Sequence, residues 1–181
     1  AVAKAALDAG AVMINDITGL KNKDMRTLAA SSGAAVCVMH MKGTPRMMQK
    51  DPRYADVTGE VFDFFVRRVA AAREDGVTDA QIVLDVGIGF GKRLEDNLRL
   101  LAYHHEFMSL GYPLLLGVSR KSFIGGILDE PQPERRRTGT VAALTLGVAR
   151  GARILRVHDV PEAVQAVRVA DAILNADTGN S

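Results

Sequence analysis

Asp85 has the residue type and the position of a ligand-binding carboxylate. It directly follows the apolar run 82–84 and precedes the segment 86–92, whose glycines let the backbone come close to a ligand. A carboxylate at the end of a buried strand is partly desolvated and needs hydrogen-bond donors. A planar ligand edge with two adjacent N–H groups would supply them. Nearby backbone N–H groups would also do so, which leaves a structural capping role open.

Polar residues follow other apolar runs in the same way. Asn15 offers a donor and an acceptor that match the mixed edge of a heterocycle, although Asn-Asp is also common turn chemistry and we interpret Asp16 as structural. Ser122 is predicted to open a short helix whose N-terminus attracts an anion such as a carboxylate. Lys121 adds a positive charge at the same place.

Arg156 and His158 stand two positions apart after the last apolar run, so strand alternation puts both side chains on one face. Because arginine can bind two oxygens at once, the pair predicts a clamp for a diphosphate. An alternative is a metal hydrolase in which His40 joins His158 and Asp85 as ligands. That pattern is thin, since His-x-His does not occur and residues 104–105 are predicted to lie mid-helix on a solvated face.

Strand and helix patterns alternate along the whole chain. The apolar runs predict strands over 12–14, 35–39, 82–84, 114–118 and 154–155, and the intervening patterns predict helices over 1–8, 22–32, 56–75, 95–110, 138–150 and 160–175. Fully apolar strands joined by helical crossovers indicate a parallel sheet buried on both faces. Because every strand ends in polar residues, a closed (β/α)8 TIM barrel is favoured over an open doubly wound sheet.

A complete barrel has eight βα units in about 250 residues. Five units in 181 residues predict one barrel domain over 1–181 that comprises about the last five units and lacks the N-terminal ones. Ala1 stands in a helical pattern, which suggests that the protein starts upstream. Two exposed strand edges would make such a fragment prone to aggregation.

The composition limits the kinds of partner that the protein is expected to bind. The net charge of +2 gives no overall field for nucleic-acid binding, and the arginines at 135–137 are predicted to lie in a solvated loop. No apolar run reaches the roughly 18 to 20 residues that span a bilayer, so we expect a cytoplasmic protein without a membrane partner. Cys37 is the single cysteine and lies in an apolar run, which predicts a core position.

Five segments together resemble the dihydropteroate synthase family in order and spacing. They are Met-Ile-Asn-Asp at 13–16, Val-Met-His-Met-Lys-Gly-Thr-Pro at 38–45, Leu-Asp-Val-Gly-Ile-Gly-Phe-Gly-Lys at 84–92, Ser-Arg-Lys-Ser at 119–122 and Arg-Val-His-Asp at 156–159. The match extends over essentially the whole chain. It implies a (β/α)8 barrel and a transferase that joins a dihydropterin diphosphate to 4-aminobenzoate.

The resemblance also implies the roles of individual residues. Pterin binding falls to Asn15, Asp85 and Lys121, with Met39, Phe90 and Gly117 lining the slot. The 4-aminobenzoate would meet Lys121, Ser122 and Phe90. Arg156 and His158 would hold the diphosphate, and together with Asp85 and Lys121 they form the catalytic set. Mg²⁺ is the implied cofactor, its protein ligand expected in the N-terminal part, and pairing through the last helices implies a homodimer.

Val86 departs from the family, which usually has proline directly after the pterin-binding aspartate. Valine keeps a backbone N–H and loosens the turn that proline would fix. We therefore expect Val86→Pro to produce a modest but measurable change in pterin affinity, of about two- to fivefold. Calorimetric titration measures the effect, and an unchanged affinity would refute it.

Other interpretations stay open at this point. A related methyltransferase with a reduced folate and a corrinoid partner has a similar pterin-binding barrel but less use for the 119–122 segment. A pterin-binding homologue without catalysis, or part of a larger folate-pathway fusion, is also compatible with the sequence. Since the family's two mobile loops and the aspartate that ends its third strand are absent, we expect little synthase activity from these residues alone.

Overall fold

A computed structural model describes residues 1–176 of the chain. The α-helices are α1 (Val2–Asp8), α2 (Lys23–Ser32), α3 (Val57–Glu74), α4 (Leu94–Ala102), α5 (Ser122–Leu128), α6 (Arg137–Ala149) and α7 (Val160–Leu174). The strands are β1 (Met13–Asp16), β2 (Ala35–Met39), β3 (Ile82–Asp85), β4 (Leu114–Leu116) and β5 (Ala152–Leu155). Short 3-10 turns cover Asp79–Gln81, His104–Leu110 and Pro133–Arg136.

Across the described residues the strands form a single parallel sheet in the order β1-β2-β3-β4-β5. Each strand therefore pairs with the next one along the chain, and the order never reverses. A doubly wound sheet has such a reversal at its switch point, whereas a barrel adds its strands sequentially. The topology is that of consecutive barrel units, as the strand ends predicted.

Two of the helices, α2 and α3, begin at a side chain that caps them. Asn22 accepts a hydrogen bond from the backbone N–H of Asp24 at the start of α2, at 2.7 Å. Asp56 does the same for Thr58 at the start of α3, at 3.2 Å. Because apolar residues recur at helical spacing in α3, one side of this helix, which includes the fully buried Phe65, packs into the main core.

The sheet has two unlike faces. The main core lies between the helices and one face, which carries strand residues such as Val36, Leu84 and Leu116. We call the opposite face the inner face. It carries a smaller cluster made only of strand residues, namely Cys37, Val83 and Leu115 with Met13 and Ile154 beside them. Cys37 is thus a core residue, as predicted, and burial raises the pKa of its thiol.

Two expectations about elements were wrong. The helix expected over 95–110 ends at Ala102, and a 3-10 turn follows in which His104 is fully buried and its Nδ1 lies 3.3 Å from the carbonyl of Arg150. Arg136 does not lie in a solvated loop. It is buried because its guanidinium donates hydrogen bonds to backbone carbonyls, among them that of Arg120.

Within residues 1–176, no helix combines the length and the apolar character that crossing a bilayer requires.

Candidate functional site

The predicted site residues of the strands gather at one end of the inner face. Side chains alternate along a strand, so the residue two positions beyond each member of the inner cluster shares its face. These residues are Asn15, Met39, Asp85, Gly117 and Arg156. Pairing of β2 with β3 sets Met39 directly beside Asp85. Five positions that are far apart in the sequence therefore line the carboxyl end of one surface.

Asp85 is a buried carboxylate with polar neighbours, and only 7% of the residue is exposed. Its Oδ1 accepts a hydrogen bond from the backbone N–H of Gly87 at 2.8 Å. Burial raises the pKa of this carboxyl above its ordinary value, while that hydrogen bond and three nearby cations oppose the rise. The cations are Lys121, Lys92 and Arg156. Local capping thus uses one lone pair of Oδ1. N–H donors from a planar ligand can bind the remaining lone pairs of both oxygens and would stabilise the charged form of Asp85.

Lys121 faces the glycine-rich segment 86–92 from the loop after β4. Its Nζ donates a hydrogen bond to the carbonyl of Ile88 and lies 4.8 Å from the centre of the Phe90 ring. Burial lowers the pKa of this lysine to about 8, and Asp85 opposes the change. The structure therefore brings Asp85, Phe90 and Lys121 together.

Lys92 holds the glycine-rich segment from its other side. Its buried Nζ lies 2.9 Å from the carbonyl oxygen of Gly87, 3.1 Å from that of Phe90 and 2.9 Å from Nδ1 of His40. Burial lowers the pKa of Lys92 to about 7, although Asp85 opposes it. In the sequence, Lys92 is only the last residue of the motif at 84–92. Its structural role depends on β2 and could not be inferred from local sequence.

His40 is not a metal ligand in this arrangement. Burial, aided by the charge of Lys92, lowers the pKa of its imidazole to about 2, so the ring is neutral and Nδ1 accepts from the ammonium. In the part of the chain that the structure describes, no group of three His, Cys, Asp or Glu side chains could hold a metal ion. The metal-hydrolase alternative therefore has no site here.

The loop after β5 lies against the loop after β4. Arg156 and His158 are both exposed, and the ring Nδ1 of His158 lies 3.0 Å from Oγ of Ser119. Arg120 forms an ion pair with Asp159, with Nε and Oδ2 3.0 Å apart. The segments 119–122 and 156–159, which are separate motifs in the sequence, are thus in direct contact in the structure. Ser122, exposed at the first position of α5, opens a helix as predicted.

Asn15 and Asp16 have the contrasting environments that the sequence suggested. The side chain of Asn15 is exposed on the inner face. The carboxylate of Asp16 is buried and accepts hydrogen bonds from the N–H and hydroxyl of Thr18 and from the N–H of Leu20. Asp16 is therefore a turn-forming residue, whereas Asn15 is available to a ligand.

Comparison with known proteins shows which family has this arrangement. The sequence profile of a family described as pterin binding enzyme matches residues 1–158. The dihydropteroate synthase of Synechocystis is 47% identical over 173 residues, which are 95% of this chain and 60% of that protein. The chain thus spans about 60% of the length of the curated relatives it matches.

Solved structures agree with the sequence match. The dihydropteroate synthase of Stenotrophomonas maltophilia, with imidazole bound in its active site, superposes with a TM-score of 0.92 at 44% identity, over 95% of this chain and 65% of that one. The enzyme of Xanthomonas albilineans in complex with 7,8-dihydropteroate gives a TM-score of 0.89 at 40% identity, over 96% and 65%. The expected fold is confirmed, because the sheet described here corresponds to part of these TIM barrels.

Proposed function

Since the chain belongs to the pterin-binding enzyme family, we propose that the protein it comes from is a dihydropteroate synthase. The reaction condenses (7,8-dihydropterin-6-yl)methyl diphosphate with 4-aminobenzoate to give 7,8-dihydropteroate and diphosphate. The observation that carries the proposal is the buried Asp85 carboxylate, which lies at the carboxyl end of the inner face with cationic side chains around it. A pterin offers adjacent N–H donors to that carboxylate, and its diphosphate offers anionic oxygens to the cations.

The pterin would lie on the inner face. Asp85 accepts from the ring N–H groups, Asn15 meets the mixed donor and acceptor edge, and Lys121 contributes a cation. Apolar contact comes from the side chain of Met39 and the ring of Phe90, and Gly117 leaves room between strands. The 4-aminobenzoate would lie nearer the surface, where Lys121, Ser122 and Phe90 meet. Its carboxylate suits the ammonium group.

The chemistry requires opposite charges to be stabilised in two places. The bond between the methylene carbon and the diphosphate oxygen breaks, and its electron pair leaves with the diphosphate. Arg156 and His158 would bind that departing anion. The remaining positive charge spreads over the pterin, where Asp85 stabilises it, until the amine of 4-aminobenzoate attacks the carbon and loses a proton.

Magnesium is proposed as the cofactor that neutralises part of the diphosphate charge. The described residues do not fit an ion site of their own, since they hold no cluster of three carboxylate, imidazole or thiolate ligands. Its ligands would then include diphosphate oxygens and water. Chelation with EDTA should stop turnover but spare the binding of a pterin that lacks the diphosphate.

The activity is tested by following dihydropteroate formation with the complete protein that contains this chain. Product that requires both substrates supports the proposal. Pterin binding without product would point to a non-catalytic homologue, and absence of both would reject the synthase interpretation. We also propose a cytoplasmic location, which agrees with a single, buried and unpaired cysteine.

Lys121 should give substrate binding a pH dependence. Because its pKa is lowered to about 8, the ammonium is charged below that pH and becomes neutral above it. We expect affinity for the dihydropterin diphosphate to fall by up to about tenfold between pH 7 and pH 9.5. Lys121→Arg keeps its charge over this range, so its affinity should not show the decline. Calorimetric titration at several pH values measures both proteins, and equal pH profiles would contradict this role.

A homodimer is proposed through an apolar surface formed by α4, α5 and α6. Exposed Leu98, Ile127 and Leu146 border an apolar groove of about 370 Å³ between α4, α5 and α6. A second copy that covers this groove would remove its apolar side chains from water. Leu146→Glu should therefore shift the protein to a monomer in sedimentation equilibrium, whereas Val2→Glu, on the distant α1, should not. A wild-type monomer would reject the proposal.

A further inference from the structure

Ser119 touches His158 at two atoms. Its Oγ lies 3.2 Å from the backbone nitrogen of His158 and 3.0 Å from Nδ1 of the same residue. Ser119 is 5% exposed, so water contributes little to its hydrogen bonding. One hydroxyl from the loop after β4 therefore fixes both the backbone and the ring of a residue in the loop after β5.

The directions of these two hydrogen bonds follow from the proton inventory. A backbone N–H can only donate, so Oγ of Ser119 accepts from His158 there. The hydroxyl still has one proton to donate. Among residues 1–176 its hydrogen bonds are with His158 alone, so Nδ1 is the acceptor available to that proton. A neutral imidazole whose Nδ1 accepts carries its own proton on Nε2.

Neighbouring residues reinforce the contact. Arg120, next to Ser119, binds both carboxylate oxygens of Asp159, next to His158, at 3.0 and 2.5 Å. Arg137 at the start of α6 lies 3.3 Å from the same carboxylate. The two loops are thus held together by adjacent contacts, and the backbone of His158 cannot move away from Ser119 without straining a bidentate ion pair.

We propose that Ser119 is a positioning residue that holds His158 in the tautomer with the proton on Nε2. The exposed side of the ring then presents a neutral N–H donor to an anion. The consequence of this tautomer for catalysis rests on the proposed function, because the anion is then the departing diphosphate. The assignment of the tautomer does not depend on that function. No sequence motif indicates this role, since 39 residues separate the two partners.

Nitrogen NMR tests the tautomer without any assay of activity. Protein labelled with 15N-histidine gives imidazole signals from all of its histidines, four of which lie in this chain, and the signals of His158 are assigned by their loss in His158→Ala. At a pH where the ring is neutral, long-range proton–nitrogen spectra should show the proton on Nε2. Ser119→Ala should give a mixture of tautomers, and Ser119→Thr, which keeps the hydroxyl, should restore the wild-type pattern. A proton on Nδ1 in the wild-type protein would overturn the proposal whatever the variants do.

Kinetics then separate this inference from the proposed function. We expect Ser119→Ala to lower kcat/KM for the dihydropterin diphosphate about tenfold and to leave KM for 4-aminobenzoate unchanged. In the His158→Ala background the same substitution should have no further effect, because its partner is gone. Equal losses in both backgrounds would contradict a role through His158. Absence of any turnover together with the expected tautomer would reject the synthase and leave the positioning role standing.

Discussion

Asp85→Asn should weaken binding of a dihydropterin diphosphate analogue by at least about a hundredfold. The carboxylate offers two acceptors to the ring N–H groups, while asparagine replaces one of them with an N–H₂ donor. The N–H₂ group of asparagine would face a ligand N–H and could not accept from it. One charge-assisted hydrogen bond is then lost and a buried donor stays unpaired, which costs about 3 kcal/mol or more. Calorimetric titration of the complete protein measures the loss.

Asp16 supplies the matched control for this experiment. It ends the strand β1 as Asp85 ends β3, and the two are equally buried, at 8% and 7% exposure. The carboxylate of Asp16 is used by the backbone and hydroxyl of its own turn. Asp16→Asn should therefore lower the melting temperature but leave pterin affinity within about twofold. Equal effects of both substitutions on affinity would reject the assignment of Asp85.

Substitutions of the two aspartates should also have different effects on the stability of the folded protein. Burial raises the pKa of Asp85 in the folded protein, so the unfolded chain releases this proton at a lower pH than the folded one does. The contribution of Asp85 to folding stability therefore falls as the pH rises past the ordinary aspartate value. Near neutral pH, Asp85→Asn should melt no lower than the wild-type protein. Such behaviour is expected of a binding-site residue that favours the ligand complex but destabilises the ligand-free protein.

The local sequence was sufficient to predict which residues lie at the carboxyl end of the inner face. The apolar runs marked the strands, and the change to polar residues marked their carboxyl ends, so Asp85 and Arg156 could be assigned to one end of a parallel sheet. Period-two alternation is a property of any strand and needs no knowledge of its neighbours. The order of the strands also followed, because helical crossovers make sequential pairing the simplest topology.

Contacts between loops were beyond local sequence. Nothing in the segment 86–92 indicates that Lys92 turns back toward His40, because that contact exists only once β3 lies beside β2. Arg136 looked solvated, since its three neighbouring acceptors are backbone carbonyls that any sequence could supply. Such residues are recognised only from the tertiary structure, and they hold the ligand-facing side chains in place.

Gly87→Ala should destabilise the protein by about 3 kcal/mol or more. Gly87 has a φ of +69°, where a side chain is strained, and an added Cβ would lie 1.9 Å from the backbone oxygen of His40. The chain cannot relieve so close a contact without separating the glycine-rich segment from β2. Urea denaturation measures the loss. Gly126→Ala, in α5, places its added Cβ in open space and should be neutral or slightly stabilising. An equal midpoint shift in both variants would contradict the steric argument.

The same substitution should also abolish pterin binding, for a reason different from that of Asp85→Asn. The N–H of Gly87 donates to Asp85 and its carbonyl accepts from Lys92, so this residue joins the ligand-binding carboxylate to the buried ammonium. A shift of Gly87 moves both groups together. Loss of affinity with preserved stability is therefore expected when the charge of Asp85 is removed, and loss of both when the backbone that positions it is displaced.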